Sequence, residues 1–222
     1  MDGLLSVSAQ VSEILSSPKV SALYIRQFIE QAQAARTDDK QPETVRVVMQ
    51  ALRDLKISDK ARIFHVPSTF YSWALPTRAL SMAAPSPQHL CKSVVFENKR
   101  FKGVGSKYYC VIVQYVQTIN TGALTDFVRE LDGNAVARKH YNFRLANPDD
   151  ALELTGFGNN GVCPIGMKRP VPIVLSKSIT TLSPAVFWCG AGDIDYKLAM
   201  PTQTFIEATR CHVADISVPV QE

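Results

Sequence analysis

Two places in the sequence hold residues whose types and spacing could do chemistry. The first is Thr155-Gly156-Phe157-Gly158-Asn159-Asn160-Gly161-Val162-Cys163-Pro164-Ile165-Gly166. Four glycines, two asparagines and a proline in twelve residues make neither a helix nor a regular strand, so the stretch is a loop. Glycine and asparagine reach positive φ and leave backbone N–H groups uncovered. Such a loop can hold a ligand by its amides, though many connections of this composition are only turns. The second is Lys92, a single cation at the head of the apolar run Cys91-Lys92-Ser93-Val94-Val95-Phe96. It can hold a phosphate or a carbonyl oxygen by charge-assisted hydrogen bonds, or it is a strand-end lysine with its head in water. Downstream, Gly190-Ala191-Gly192-Asp193-Ile194-Asp195-Tyr196-Lys197-Leu198 offers two glycines for close backbone approach or a plain turn. Asp195 there either orients a ligand group or caps that turn.

Other chemistry is excluded by composition. The five cysteines (Cys91, Cys110, Cys163, Cys189, Cys211) are odd in number, widely spaced and without a CxxC pair, which predicts reduced thiols in a cytosolic protein. No histidine stands near Cys163 in sequence, so it reads as a packed thiol and not a nucleophile. The four histidines are scattered, and neither a metal nor a cofactor is expected. A net charge of +4 permits a polyanionic partner without demanding one. No apolar run reaches membrane-spanning length and the first residues lack a basic signal region, so no membrane segment is expected.

The elements that must position these residues follow from periodicity. Residues 1–58 read as helices: Val11, Ile14 and Leu15 in a segment ended by Pro18, then Leu23, Phe28 and Ile29, and after Pro42 a third with Val45, Val48, Met49, Leu52 and Leu55 on one face. They form an N-terminal extension, or they cover the main sheet as part of one domain. Strands are expected at 63–66, 92–96, 108–116, 140–145, 171–175, 185–189, 196–200 and 212–218. Helices are expected at 77–84, 122–131, after Asn147 and Pro148, and around 205–209. Residues 67–76, with Phe70, Tyr71 and Trp73, are an aromatic connection that packs in a core or stacks on a base. The two strands at 92–96 and 108–116 make a hairpin with a basic tip. The fold class is mixed α+β or α/β over 59–218.

Four segments occur in order: the Cys91-Lys92 strand, the helix at 122–131, the stretch from Leu152 through Gly166, and Gly190 to Leu198. Together they resemble the YbaK/ProX family, freestanding or synthetase-appended domains that edit mischarged tRNA. The resemblance covers about 60–218 and implies a mixed sheet with flanking helices and a pocket beside the lysine strand. It divides the chain into a helical extension, 1–58, and an editing domain, 59–218. The activity it implies is hydrolysis of the ester between an amino acid and the 3′-terminal adenosine of tRNA, with tRNA(Pro) misacylated by alanine or cysteine as the substrate class. That ester is already activated, so a site need only orient it, stabilise the oxyanion and admit water; no triad is required.

Residue by residue, the resemblance makes Lys92 the catalytic residue, and Asn160, Gly161, Val162, Cys163, Pro164, Gly190, Gly192 and Asp195 the substrate-binding ones. Asn160 departs from the family's usual first loop glycine, which bears on the accepted amino acid. The basic residues nearest this plan, Lys99, Arg100, Lys102, Lys107, Lys168 and Arg169, are either phosphate contacts for the tRNA acceptor end or solvated surface charges. The implied partners are the 3′ acceptor end of tRNA and an aminoacyl-tRNA synthetase or synthetase complex, in the cytoplasm. Two other functions stay open: a non-catalytic module that binds tRNA or tethers a synthetase, and a hydrolase of a small ester or thioester.

Overall fold

The computed structural model describes residues 17–34 and 41–221. Helix α1, Pro18–Ala34, begins on its proline, where the missing N–H belongs to an unpaired helix start. Pro18 therefore opens a helix; the expected segment before it, carrying Val11, Ile14 and Leu15, lies outside the described residues. Helix α2, Glu43–Asp54, buries Val45, Val48 and Leu52. Strand β1, Arg62–His65, and helix α3, Leu75–Ser81, flank the aromatic connection.

Two strands, β2 (Cys91–Asn98) and β3 (Tyr108–Gln114), form the expected hairpin, Lys92 standing opposite Val113. The short β4, Gln117–Ile119, follows. Helix α4, Thr121–Leu131, is capped by Asn120, whose side chain accepts from the Ala123 amide at 3.1 Å. After β5, Phe143–Leu145, helix α5 (Pro148–Thr155) is capped in the same way by Asn147 and closed by Gly156 at φ 77°. The remaining elements are β6 (Ile173–Ser176), α6 (Lys177–Thr180), β7 (Val186–Gly190), β8 (Tyr196–Pro201), α7 (Thr202–Thr209), β9 (His212–Ala214) and β10 (Ser217–Pro219).

A five-stranded mixed sheet has the order β5-β2-β3-β6-β9, antiparallel on the hairpin side and parallel through β6 and β9. An antiparallel sheet, β1-β8-β7, stands beside it, and a parallel bridge from Leu90 to Trp188 joins the two. The expected single strand at 212–218 is two: β9 extends the large sheet, while β10 pairs with β4. The largest apolar cluster joins Val48 and Leu52 of α2 to Cys91, Ile112, Leu175, Phe187, Leu198 and Phe205, so α2 packs into the same core as both sheets. A second cluster packs Phe28 of α1 against Phe70, Leu90 and Trp188. No helix among the described residues is long and apolar enough to cross a membrane.

Candidate active site

β5 pairs with β2 only at Phe96–Asn98, so the first half of β2 has no strand on that side. The gap this leaves is bordered by the 157–162 loop, the end of β7 and the aromatic connection, and it encloses a cavity of about 360 Å³. Lys92 lines it, half-buried, with Nζ 6.0 Å from the centre of the Tyr115 ring. Ser93 lies next to it with a buried hydroxyl that has no partner.

The loop reaches the cavity through Phe157, Gly158, Asn159, Asn160 and Val162. Asn160 adopts φ 59°, a left-handed conformation that asparagine tolerates, and its carbonyl accepts from the Tyr71 hydroxyl at 3.2 Å. From Gly161 on, the loop turns inward and packs on the turn after β7. The Gly192 amide donates to the Gly161 carbonyl at 2.9 Å, and a Cβ at Gly190 would stand 2.4 Å from the Val162 carbonyl oxygen. Gly190 is thus required by loop-to-strand packing, and Gly192, at φ 95°, by the Thr44 carbonyl 2.6 Å from where its Cβ would lie.

Of the residues singled out in sequence, Lys92, Asn160, Val162 and Gly190 line the cavity, whereas Gly161, Cys163, Pro164, Gly192 and Asp195 do not. Cys163 is fully buried and hydrogen-bonds Cys189, whose thiol that bond and burial hold well above its ordinary range. Burial likewise pushes the Cys91 thiol up. The thiols that line the cavity, Cys91 and Cys189, are therefore protonated and poor nucleophiles. His89 is neutral and does not line the cavity, its Nε2–H donating to the Pro184 carbonyl at 3.1 Å while Nδ1 accepts from Ser86 at 2.8 Å. Asp195 sits behind the wall: its amide donates to Asp193 Oδ1, its carbonyl accepts from Val66, and its carboxylate acts electrostatically on Lys197 and Tyr71.

The six basic residues assigned to the tRNA acceptor end do not line the cavity. Lys99 and Lys107 both engage the buried Glu97 carboxylate, Lys107 at 3.0 Å. Arg100 donates to the Lys139 carbonyl at 3.2 Å, and the exposed Lys102 lies at the hairpin tip. Arg169 pairs with Glu153 at 2.6 Å, and the Lys168 amide donates to the Thr155 carbonyl at the end of α5.

Arg78, Tyr115 and Lys197 also line the cavity and carry no role in the sequence reading, and Tyr71 enters that reading only as part of the aromatic connection. Arg78 donates from Nε to the Trp73 carbonyl at 2.8 Å and from Nη2 to the Tyr71 carbonyl, and lies over the Phe70, Tyr71 and Tyr115 rings. Lys197 is buried, 5% exposed, with Nζ donating to the Ile194 carbonyl and 5.0 Å from the centre of the Tyr71 ring. Burial pushes its ammonium down to about 8, against the opposing pull of Asp195 and Asp193. Burial and the Tyr115 hydroxyl hold the Tyr71 phenol far above its ordinary value, so it stays a donor. A lone lysine inside the apolar run Tyr196–Pro201 is the same signal that marks Lys92, and it could have flagged Lys197.

The aminoacyl-tRNA editing domain family matches residues 76–208, more than half of the chain. No curated protein matches it. Among solved structures, a candidate trans-editing enzyme for prolyl-tRNA synthetase superposes with a TM-score of 0.65 at 20% identity, over 81% of this chain and 99% of the other. A scaffold protein used for epitope grafting gives 0.63 at 17% identity, over 81% and 100%. A further hypothetical protein gives 0.59 at 20% identity, over 78% and 99%. At these identities the likeness speaks for the fold, a YbaK-like mixed α+β domain. With its family match spanning β2, the cavity loop and β7, the chain belongs to the aminoacyl-tRNA editing domain family.

Proposed function

We propose that this protein is a trans-editing deacylase that hydrolyses the ester of mischarged tRNA, with misacylated tRNA(Pro) as the substrate class. The observation that carries this reading is the cleft at which the Lys92 side chain, the exposed 158–160 turn and two tyrosines meet. The cavity's mainly apolar walls limit water and strengthen any charge-assisted bond inside. In this reading the terminal adenosine lies at the mouth, against the 158–160 turn, and the aminoacyl group points inward. Water attacks the ester carbonyl carbon, the carbonyl oxygen takes up negative charge, and Lys92 donates to it. Collapse breaks the bond to the ribose oxygen, which takes a proton as the amino acid leaves as a carboxylate. The protonated thiols, and a histidine that does not line the cavity and has both ring nitrogens engaged, favour oriented water over a covalent intermediate.

Exposed Arg100 and Lys102, with Lys168 and Arg169 beside α5, are the cations this reading gives to acceptor-end phosphates; Lys99 and Lys107 serve Glu97 first. In domain terms, 59–218 holds the editing unit and the preceding helices support it. Lys92→Ala is expected to lower deacylation about 10²–10³-fold, as loss of one oxyanion donor does, with the circular dichroism spectrum unchanged. Single-turnover hydrolysis of mischarged tRNA measures it; a variant as fast as the wild type removes Lys92 from the mechanism.

A further inference from the structure

The charged lining of the cavity is wholly cationic. Arg78, Lys92 and Lys197 line it, and no aspartate or glutamate does. Lys197 donates to two backbone carbonyls, Ile194 and Tyr196, which leaves one ammonium proton over, and it is held between the Phe70 and Tyr71 rings. Trp188, 2% exposed and on the same wall, has an indole N–H with no acceptor. A native protein seldom leaves a buried donor unpaired, and one carried by a cavity-lining residue calls for an acceptor, a water or a ligand atom. A group seated against Lys197 and Trp188 must therefore accept hydrogen bonds. The aromatic and aliphatic surroundings, Phe70, Met82 and Leu90, make an unmatched polar atom costly and a matched one selective.

We infer that the amino acid presented to this cavity carries a side-chain oxygen, a hydroxyl or a carboxylate, that accepts from Lys197 Nζ and Trp188 Nε1. The inference rests on the editing reading of the cavity and deepens it from mischarged tRNA in general to one class of amino acid. A site built to bond a substrate oxygen discriminates strongly against the analogue without it, whereas an apolar pocket barely separates isosteres.

The test uses non-hydrolysable 3′-amino-3′-deoxyadenosine amides of threonine and valine, and of aspartate and leucine, titrated into the full chain by calorimetry. The threonyl or the aspartyl amide should bind about tenfold or more tighter than its apolar counterpart, the first pair reading a hydroxyl and the second a carboxylate. Lys197→Met should bring that ratio close to one, and Trp188→Phe, which keeps a ring in the core, should reduce it; circular dichroism checks both folds. Equal binding within both pairs, no binding of any amide, or a preference untouched in both variants overturns the inference. A preference in binding without hydrolysis of the corresponding tRNA esters upholds this pocket assignment and contradicts the deacylase reading instead.

Discussion

Lys197 costs the fold stability that a methionine would not. Its ammonium is pushed from 10.5 down to about 8 by burial, a difference of about 3 kcal/mol. Between these values the unfolded chain holds a proton that the folded chain has released, so stability rises with pH through the window and the full cost is present below it. Lys197→Met should therefore stabilise the protein at pH 7 by about 1–2 kcal/mol, after the loss of its carbonyl bonds, and the gain should shrink towards pH 10. Urea unfolding of both proteins at the two pH values measures this. A loss of stability at pH 7 would show that the ammonium is better compensated than its surroundings indicate. His89 works at the acid end, held down to about 4 by burial while Pro184 and Ser86 pull the other way. Below about 6.5 the unfolded chain takes up a proton that the folded chain refuses until about 4, so stability should fall by up to about 3 kcal/mol across that window. Replacing His89 with glutamine should flatten the melting temperature against pH there.

The cavity loop and the turn after β7 work as one element. Gly190 faces the Val162 carbonyl and Gly161 faces the Asp193 backbone at 3.1 Å, so the two segments fit only where both lack side chains. Gly190→Ala should cost about 1–3 kcal/mol and displace the 158–160 turn, read as a lower melting temperature together with weaker binding of the adenosine amides. What the sequence shows of this region is local. Asn147, Pro148 and Gly156 mark α5 because caps depend on neighbours within a few residues, and Lys92 stands out as the one charge in the apolar run 91–96. The inward fold of Gly161, Cys163 and Pro164 is not local: a Gly/Asn loop looks the same whether its amides face a ligand or the next strand. Tyr71, Arg78, Tyr115 and Lys197 come from four separate segments, and their meeting depends on how the two sheets are bridged at Leu90 and Trp188. The strand expected at 212–218 failed for a related reason. An apolar alternation through Ala214, Ile216 and Val218 does not record that the chain changes sheets between Ala214 and Ser217.

At the scale of the molecule, α2 is bound into the main core, and a Cβ at Gly166 would meet Val47 and Ala51, as one at Gly192 would meet the Thr44 carbonyl. Leu52→Ala should destabilise the whole protein by about 2–5 kcal/mol in a single cooperative transition. A separate early transition, with the 59–218 unit melting unchanged, would mark the helices as an independent appendage. The amphipathic face of α2 is legible in sequence; whether it covers the editing fold or something else is not, since a helix face names no partner. The activity itself is tested most directly by incubating the full chain with tRNA(Pro) charged separately with alanine, cysteine, serine, threonine and proline, wild type beside Lys92→Ala. The account predicts that a misacylated species is cleaved, that prolyl-tRNA is spared and that the variant is about a hundredfold slower or worse. Failure to cleave any of them while the tRNA binds would contradict it and leave a binding module in its place.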